Sequence, residues 1–312
     1  MVAFATGGAL LERERELETL RDGVDRARAG EGTLLLIEGP AGAGKTVLAR
    51  EARAVAERAR MMPLEARGSE LEQSFAFGVV RQLLEPVISK DPGRADLFAG
   101  AAGPAARLFE PGERRALDAA AGFEALHSLY WLVVNIADQA PVLVLVDDCQ
   151  WADRDSLRFL AYLAQRIEGL PVTMLLTGRP PEPGGDEAGG LWVQLASRPA
   201  AAALYPRPLS ESAAVTLTRE RLGASAAEEF CRACHTATGG NPLFLRELLR
   251  ALAAAEVVPS AAAANAIQNV GPAVVGRDAS CTHNDPASSP PASGGRPVSS
   301  IVTGSPSIRC AR

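Results

Sequence analysis

Gly39-Pro40-Ala41-Gly42-Ala43-Gly44-Lys45-Thr46 follows the apolar run Thr33-Leu34-Leu35-Leu36-Ile37 and leads into Val47-Leu48-Ala49-Arg50-Glu51-Ala52. The order reads as strand, glycine-rich loop, helix, and the spacing G-x-x-x-x-G-K-T is the Walker A pattern in the context its mechanism needs. Glycines at 39, 42 and 44 let the backbone turn its N–H groups inward, into an anion nest where a Cβ would crowd a phosphate. A helix starting near Lys45 adds the positive end of its dipole. Gly39 through Val47 are therefore the candidate nucleotide-binding residues. Lys45 is placed to reach the β- and γ-phosphates, and the Thr46 hydroxyl to give one ligand to Mg²⁺. The chain's only two lysines are Lys45 and Lys90. An ammonium thus stands where a planar guanidinium does not substitute, in a chain that otherwise uses arginine.

Pro141-Val142-Leu143-Val144-Leu145-Val146-Asp147-Asp148 is the second chemical landmark. An unbroken apolar run ending in acids describes a central parallel strand, buried on both faces, that delivers carboxylates at the sheet edge where ligands of open α/β folds bind. This is the Walker B pattern: Asp147 is the candidate metal ligand, directly or through water, and Asp148 the candidate base for an attacking water. Asp153, ahead of Ser156-Leu157-Arg158-Phe159-Leu160, reads as a structural helix cap. A third buried strand, Pro171 to Thr177, ends in Gly178-Arg179-Pro180. In P-loop ATPases of the additional-strand type this strand lies between the other two. Arg179 then reads either as a sensor of the transferred phosphoryl group or as an exposed turn arginine.

At 312 residues with 47% hydrophobic content, the chain has room for one large α/β unit and a smaller one. A net charge of −5 and a pI near 5.4 give no basic field for nucleic acid or an anionic membrane surface. The longest apolar strings are strand-sized, and the start runs directly into Glu12-Arg13-Glu14-Arg15-Glu16, unlike a secretory signal. A cytoplasmic location is expected. Cys231-Arg232-Ala233-Cys234-His235 has no second ligand pair at zinc spacing and reads as buried thiols on an alanine-rich helix.

Taken in order, Leu10 to Leu20 places leucines on one face of an amphipathic helix. The loop helix is expected to end around Met62-Pro63, with a short strand at Leu64 to Arg67 and a polar loop at Gly68 to Glu72. Helical stretches are expected from Phe75 to Val87, closed by Asp91-Pro92-Gly93, then at 95–109 and 112–138, forming a helical insertion over one face of the sheet. A flexible loop is expected at Pro181 to Gly190 and a last strand at Ala202 to Tyr205. From Leu209 the period is helical: Ser210 caps one helix, Ala224 to Thr236 forms another, and Gly239-Gly240-Asn241-Pro242 restarts a third. Residues 277–312 lack leucine and aromatics and are rich in Ser, Pro and Gly, so a disordered tail is expected. The expected fold is an α/β P-loop NTPase three-layer sandwich with a five-stranded parallel sheet (1–207), a small helical lid (208–276) and that tail.

Six stretches together resemble the N-terminal ATPase module of the large ATP-binding LuxR-type regulators, within the STAND class of AAA-related ATPases. They are Leu11 to Leu17, the Walker A loop, Ala66 to Glu72 with Phe77 to Pro86, Val146 to Asp153, and Gly239 to Leu248. The resemblance, over roughly residues 8–276, implies that Arg13 and Pro242 lie against adenine and that Arg179 acts as the first sensor. It implies ATP with Mg²⁺ as ligands, a switch in which nucleotide holds lid and core together, and self-association or association with full-length relatives. Two departures stand out: Gln150 occupies a position usually held by His, and the winged helix, helical repeats and C-terminal helix-turn-helix are missing. The expected product is a truncated or frame-shifted module without direct DNA binding. Slow ATP hydrolysis is the leading reading; a non-hydrolysing ATP-binding interaction subunit and, behind it, a small-molecule P-loop kinase are the alternatives.

Overall fold

Continuous apolar runs on three strands build the core of this computed structural model, which describes residues 10–90, 94–110, 119–180, 187–198 and 201–267. The strands are β1 (Thr33–Glu38), β2 (Met62–Arg67), β3 (Val142–Asp147), β4 (Val172–Gly178) and β5 (Ala201–Leu204). All pair in parallel, in the order β2-β3-β4-β1-β5. β1, β3 and β4 are buried along their whole length. This is why their sequences are continuous apolar runs rather than alternating ones. β4 lies between the Walker A and Walker B strands, as expected of the additional-strand type.

Leu34, Leu36, Val144, Val146, Met174 and Leu176 face one layer, formed by α3 (Gly78–Lys90), α5 (Ala119–Gln139), α6 (Arg154–Ala164) and α7 (Glu187–Ala196). Leu35, Ile37, Leu143, Leu145 and Leu175 face the other, against α1 (Glu14–Arg28) and α2 (Lys45–Arg58). The result is a three-layer sandwich. α8 (Glu211–Leu222), α9 (Glu228–Thr238) and α10 (Pro242–Ala254) follow, with a further helical stretch at 261–267. They enclose their own cluster around Phe230, Leu245 and Leu249. The chain divides into two compact units, Met1–Val275 and Gly276–Arg312, and every described residue belongs to the first. The tail expected at 277–312 lies outside the described residues, as do the turn at 91–93 and the start of the helix expected at 112.

Several element boundaries differ from expectation. α2 ends at Arg58, and Met62 and Pro63 open β2 instead of closing the helix. β2 is an edge strand, where a proline's missing N–H breaks no ladder bond on the open side. The stretch 95–109 is one short helix, α4 (Arg94–Leu97), followed by a 3₁₀ segment over Gly100–Phe109. Gly100 takes positive φ and Pro104 offers no N–H, so no α-helix continues there. Glu70–Glu72 is a 3₁₀ turn within the expected loop. Phe75 and Phe77 precede α3, with Phe77 at φ 57. The last four residues of the loop expected at 181–190 are the start of α7, and 181–186 lie outside the described residues. Ala227 is extended, so α9 starts at Glu228 and runs to Thr238, where Gly239 closes it in the left-handed conformation.

Asp153 does more than cap α6. Its Oδ1 accepts from Ser156 N and from Phe77 N, both at 2.9 Å, and its Oδ2 accepts from Val79 N at 3.1 Å. At 3% exposure, one carboxylate thereby joins α6 to the start of α3. Asp153→Ala strands three amide hydrogens and is expected to cost roughly 3–5 kcal/mol. At this chain length, that corresponds to a fall of about 10 °C in Tm. Calorimetry on the variant checks this, and a fall below about 3 °C would show that water replaces the carboxylate.

Candidate functional site

The loop between β1 and α2 adopts the conformation its glycines permit. Gly42 and Gly44 have φ of 80° and 98°, and Gly44 stands at the N-cap of α2. Lys45 Nζ donates to Gly39 O at 2.8 Å and Pro40 O at 3.0 Å, spanning the loop from inside. Burial pushes the Lys45 ammonium's pKa down, opposed by Asp148 and Asp147 and reinforced by Arg179. An ammonium held against carbonyls without a carboxylate bond is available to an incoming anion. Ala41 O, Gly42 O and Ala43 O are also engaged, by Asn241 Nδ2, Leu243 N and Arg13 respectively.

Across the sheet edge, Thr46 Oγ1 donates to Asp147 Oδ2 at 2.8 Å, and Thr177 Oγ1 donates to Asp147 Oδ1 at 2.5 Å. Two neighbouring ligands of an octahedral Mg²⁺, each at about 2.0–2.1 Å, stand about 2.9 Å apart, so Thr46 and Asp147 fit that ion. Thr177 fixes the carboxylate's rotation and also accepts from Asp148 N at 3.0 Å. Asp148 itself is left-handed, φ 56, with Gly68 packed against its carbonyl so closely that a Cβ there would lie 2.3 Å from the oxygen. Arg67 holds Asp148 Oδ2 through Nη2 at 2.9 Å and Nε at 3.2 Å. Gln150 donates to Asp148 Oδ1 at 3.1 Å and accepts from Arg179 N at 3.2 Å. Gln150, whose position departs from the expected His, therefore links the two candidate catalytic residues. The Arg179 side chain is exposed beside them.

The helices after residue 208 meet the loop directly. Asn241 caps α10, its Oδ1 accepting from Leu243 N and Phe244 N while its Nδ2 donates to Ala41 O at 2.9 Å. A Cβ on Gly42 would lie 2.5 Å from Asn241 Oδ1, so the close approach requires glycine. Pro242 opens α10 at its first turn. Arg13 is 3% exposed and donates to Arg207 O at 2.6 Å as well as to the loop. Arg13, Ala43, Gly44, Val47, Pro242 and Arg246 line one pocket, closed by Leu10, Leu11, Leu209 and Leu217. The expected nucleotide residues on both sides of the chain are thus brought together.

Glu12, also at positive φ, accepts from Ser210 N at 2.8 Å and from the Ser210 hydroxyl, fastening the segment before α1 to the start of α8. The Ser210 hydroxyl first, then its amide, holds the Glu12 carboxyl below its ordinary value of 4.5. The stabilisation is therefore complete above pH 4.5 and lost as pH falls through the lowered folded value. Glu12→Gln is expected to lower the urea midpoint at pH 7, with the gap to wild type narrowing as pH falls below 4.5; a pH-independent difference contradicts this linkage.

Nothing in the sequence marks Arg67, Thr177 or Arg246, whereas Glu12 neighbours Arg13 and Asn241 stands in the Gly-Asn-Pro turn that the resemblance places beside adenine. Cys231 and Cys234 lie on the buried face of α9, where burial pushes both thiols up, Cys234 to about 12. His235 Nε2 bonds Leu209 O at 2.9 Å.

More than half the chain, residues 9–176, matches the sequence pattern of the AAA ATPase domain, and residues 210–265 match a domain of unknown function. An uncharacterized protein of Rhizobium meliloti (strain 1021) is 27% identical over 266 residues, covering 78% of this chain. The match spans a quarter of that relative's length. Among solved structures, the ORC2 protein of Aeropyrum pernix, in ADPNP and ADP complexes, has 17% identity and a TM-score of 0.51, with 85% of this chain and 69% of that one covered. A STAND protein with a tetratricopeptide repeat sensor from Pyrococcus horikoshii gives 21% identity and a TM-score of 0.47, over 77% of this chain and 29% of that one. Among the described residues no helix is long and apolar enough to cross a membrane. With the domain pattern running from the segment before α1 through β4, across both the phosphate loop and the acid pair, this chain belongs to the AAA ATPase domain family.

Proposed function

We propose that the chain is an ATP-binding, slowly hydrolysing switch module of the STAND type, related to the N-terminal part of LuxR-family transcriptional regulators. The observation that carries this is the double engagement of the phosphate loop: Thr46 bonds Asp147 of the core while Ala41 and Gly42 bond Asn241 and Leu243 of α10. A nucleotide on this loop touches both parts at once. The division into a core at 1–207 and a lid at 208–276 is supported by the separate apolar cluster of α8 to α10.

In this reading the loop amides and Lys45 bind the phosphates, Arg13 and Pro242 flank adenine, and Thr46 with Asp147 would hold Mg²⁺, which neutralises charge across the β- and γ-phosphates. Asp148 takes the proton of the attacking water once Arg67 releases it, and Arg179 stabilises charge on the γ-phosphoryl group. The module works in the cytoplasm and associates with itself or with longer relatives.

The non-hydrolysing reading is favoured by one observation, that both Asp148 oxygens are occupied. Purified full chain with Mg²⁺ and ATP or GTP separates the readings. Saturable ATP binding with free phosphate is expected. Binding without phosphate supports the interaction subunit, a phosphorylated acceptor supports a kinase, and no binding by folded protein removes the proposal.

A further inference from the structure

Glu38, the last residue of β1, stands directly before Gly39 and is 8% exposed. Among the described residues no cation bonds it. A neutral donor, the Trp192 indole N–H, holds it instead, and the carboxylate's charge pushes up the pKa of the nearby Tyr205. The same Trp192 ring lies flat on the end of β4. A Cβ on Gly178 would come within 2.9–3.1 Å of Cη2, Cζ2 and Cζ3 of the indole. Glu38 and Gly178 are register partners, and Gly39 N donates to Gly178 O at 3.3 Å. The next residue on β1 begins the phosphate loop, and the next on β4 is Arg179. One buried side chain, at 5% exposure, therefore touches the last rung of both strands at the point where they diverge into the site.

We propose that Trp192 is a positioning residue that sets Arg179 relative to the phosphate loop, by bonding Glu38 on one strand end and stacking on Gly178 of the other. The physical basis is the poor tolerance of misplacement at a charged site, where a shift of about 1 Å removes most of an oriented bond's worth. Ladder bonds fix the separation of β1 and β4 but leave the strand tips free to twist. An indole clamped at two points on those tips removes that freedom. A neutral donor on Glu38 also avoids a fixed cation that would compete with Lys45 for the phosphates. The assignment rests on the reading of Arg179 as the sensor of the γ-phosphate and adds the residue that aims it.

The test is nucleotide affinity of the full chain, comparing ADP with the non-hydrolysable ADPNP, so that turnover is not needed. Trp192→Phe keeps a ring on Gly178 and deletes the N–H. It is expected to weaken ADPNP about tenfold, the scale of one charge-assisted bond, and to leave ADP within about twofold. Glu38→Ala should reproduce this pattern, and Glu38→Gln, which keeps an acceptor oxygen, should restore the wild-type ratio. The double variant W192F/R179A should lose no more discrimination than R179A, because both act through one contact. Equal losses on ADP and ADPNP, or additive losses in the double variant, overturn the proposal and leave the sensor reading intact. R179A with undiminished discrimination removes the sensor reading and this proposal with it. A wild type that binds but releases no phosphate defeats only the hydrolysis reading.

Discussion

Lys45→Ala is expected to weaken MgATP binding at least about 100-fold while leaving the nucleotide-free chain folded and no less stable. Two opposing effects decide the sign of each part. In the free protein the ammonium is 6% exposed, bonds only the carbonyls of Gly39 and Pro40, and has its pKa lowered by burial, so it is held at a desolvation cost. Alanine removes that cost and leaves two loop carbonyls that water can reach. In the complex the same ammonium meets phosphate oxygens in a site of reduced dielectric. Charge-assisted bonds there are each worth about 1.5–3 kcal/mol, and two of them correspond to 100-fold or more. Lys45→Arg should lose nearly as much, because a planar fork does not fit a position where a single point charge spans the loop. Isothermal titration and calorimetric Tm on the same preparations check both halves. ATP affinity within tenfold of wild type would show that the loop amides alone carry binding. A Tm drop above about 5 °C would make Lys45 a structural residue.

What the sequence made legible follows from how local each cause is. The phosphate loop is written in eight consecutive residues whose backbone freedom and charge need no distant partner. β1, β3 and β4 were readable because burial on both faces forces continuous apolar runs. The start of β2 is hidden because Met62-Pro63 looks like a helix end, and only its place at the sheet edge makes Pro63 acceptable. The 3₁₀ segment at Gly100–Phe109 looks helical in sequence because its alanines and Leu108 keep the period, while Pro104 interrupts the bonding. The least legible part is the set of residues around Asp148. Arg67 reaches it because β2 and β3 pair in a register that puts Arg67 opposite Asp147, 80 positions away in the chain. No pattern within either segment announces that register. Trp192 is hidden for the same reason: its partners, Glu38 and Gly178, meet only through the order of the sheet.

Asp148→Asn is expected to leave ATP affinity within about threefold and to lower phosphate release by at least about 100-fold, the usual scale of a lost general base. Asparagine is the informative substitution at this position. Asp148 has φ 56, a region asparagine adopts more readily than alanine, so the backbone that carries Asp147 into the metal-ligand position is retained. Turnover that survives would take the base assignment from Asp148. The companion variant, Arg67→Gln, should act in the opposite direction. Its guanidinium holds the carboxylate oxygen that has to receive the water's proton, but the Arg67 side chain is 66% exposed and the Asp148 side chain 19%. An ion pair so open to solvent is worth about 0.2–1 kcal/mol, so freeing the base should raise the steady-state rate by no more than about fivefold. Steady-state phosphate release by Arg67→Gln at saturating ATP measures this directly. A rate unchanged or lowered would mean that Arg67 serves the reaction instead of restraining Asp148. A rise far above fivefold would mean that the pair is much stronger than its exposure allows. The bound matters for the switch. A restraint of this size biases the chemistry without blocking it. On the proposed switch reading, stronger repression would come from the bonds of Asn241 and Leu243 to the phosphate loop, which join α10 to the residues proposed to bind nucleotide.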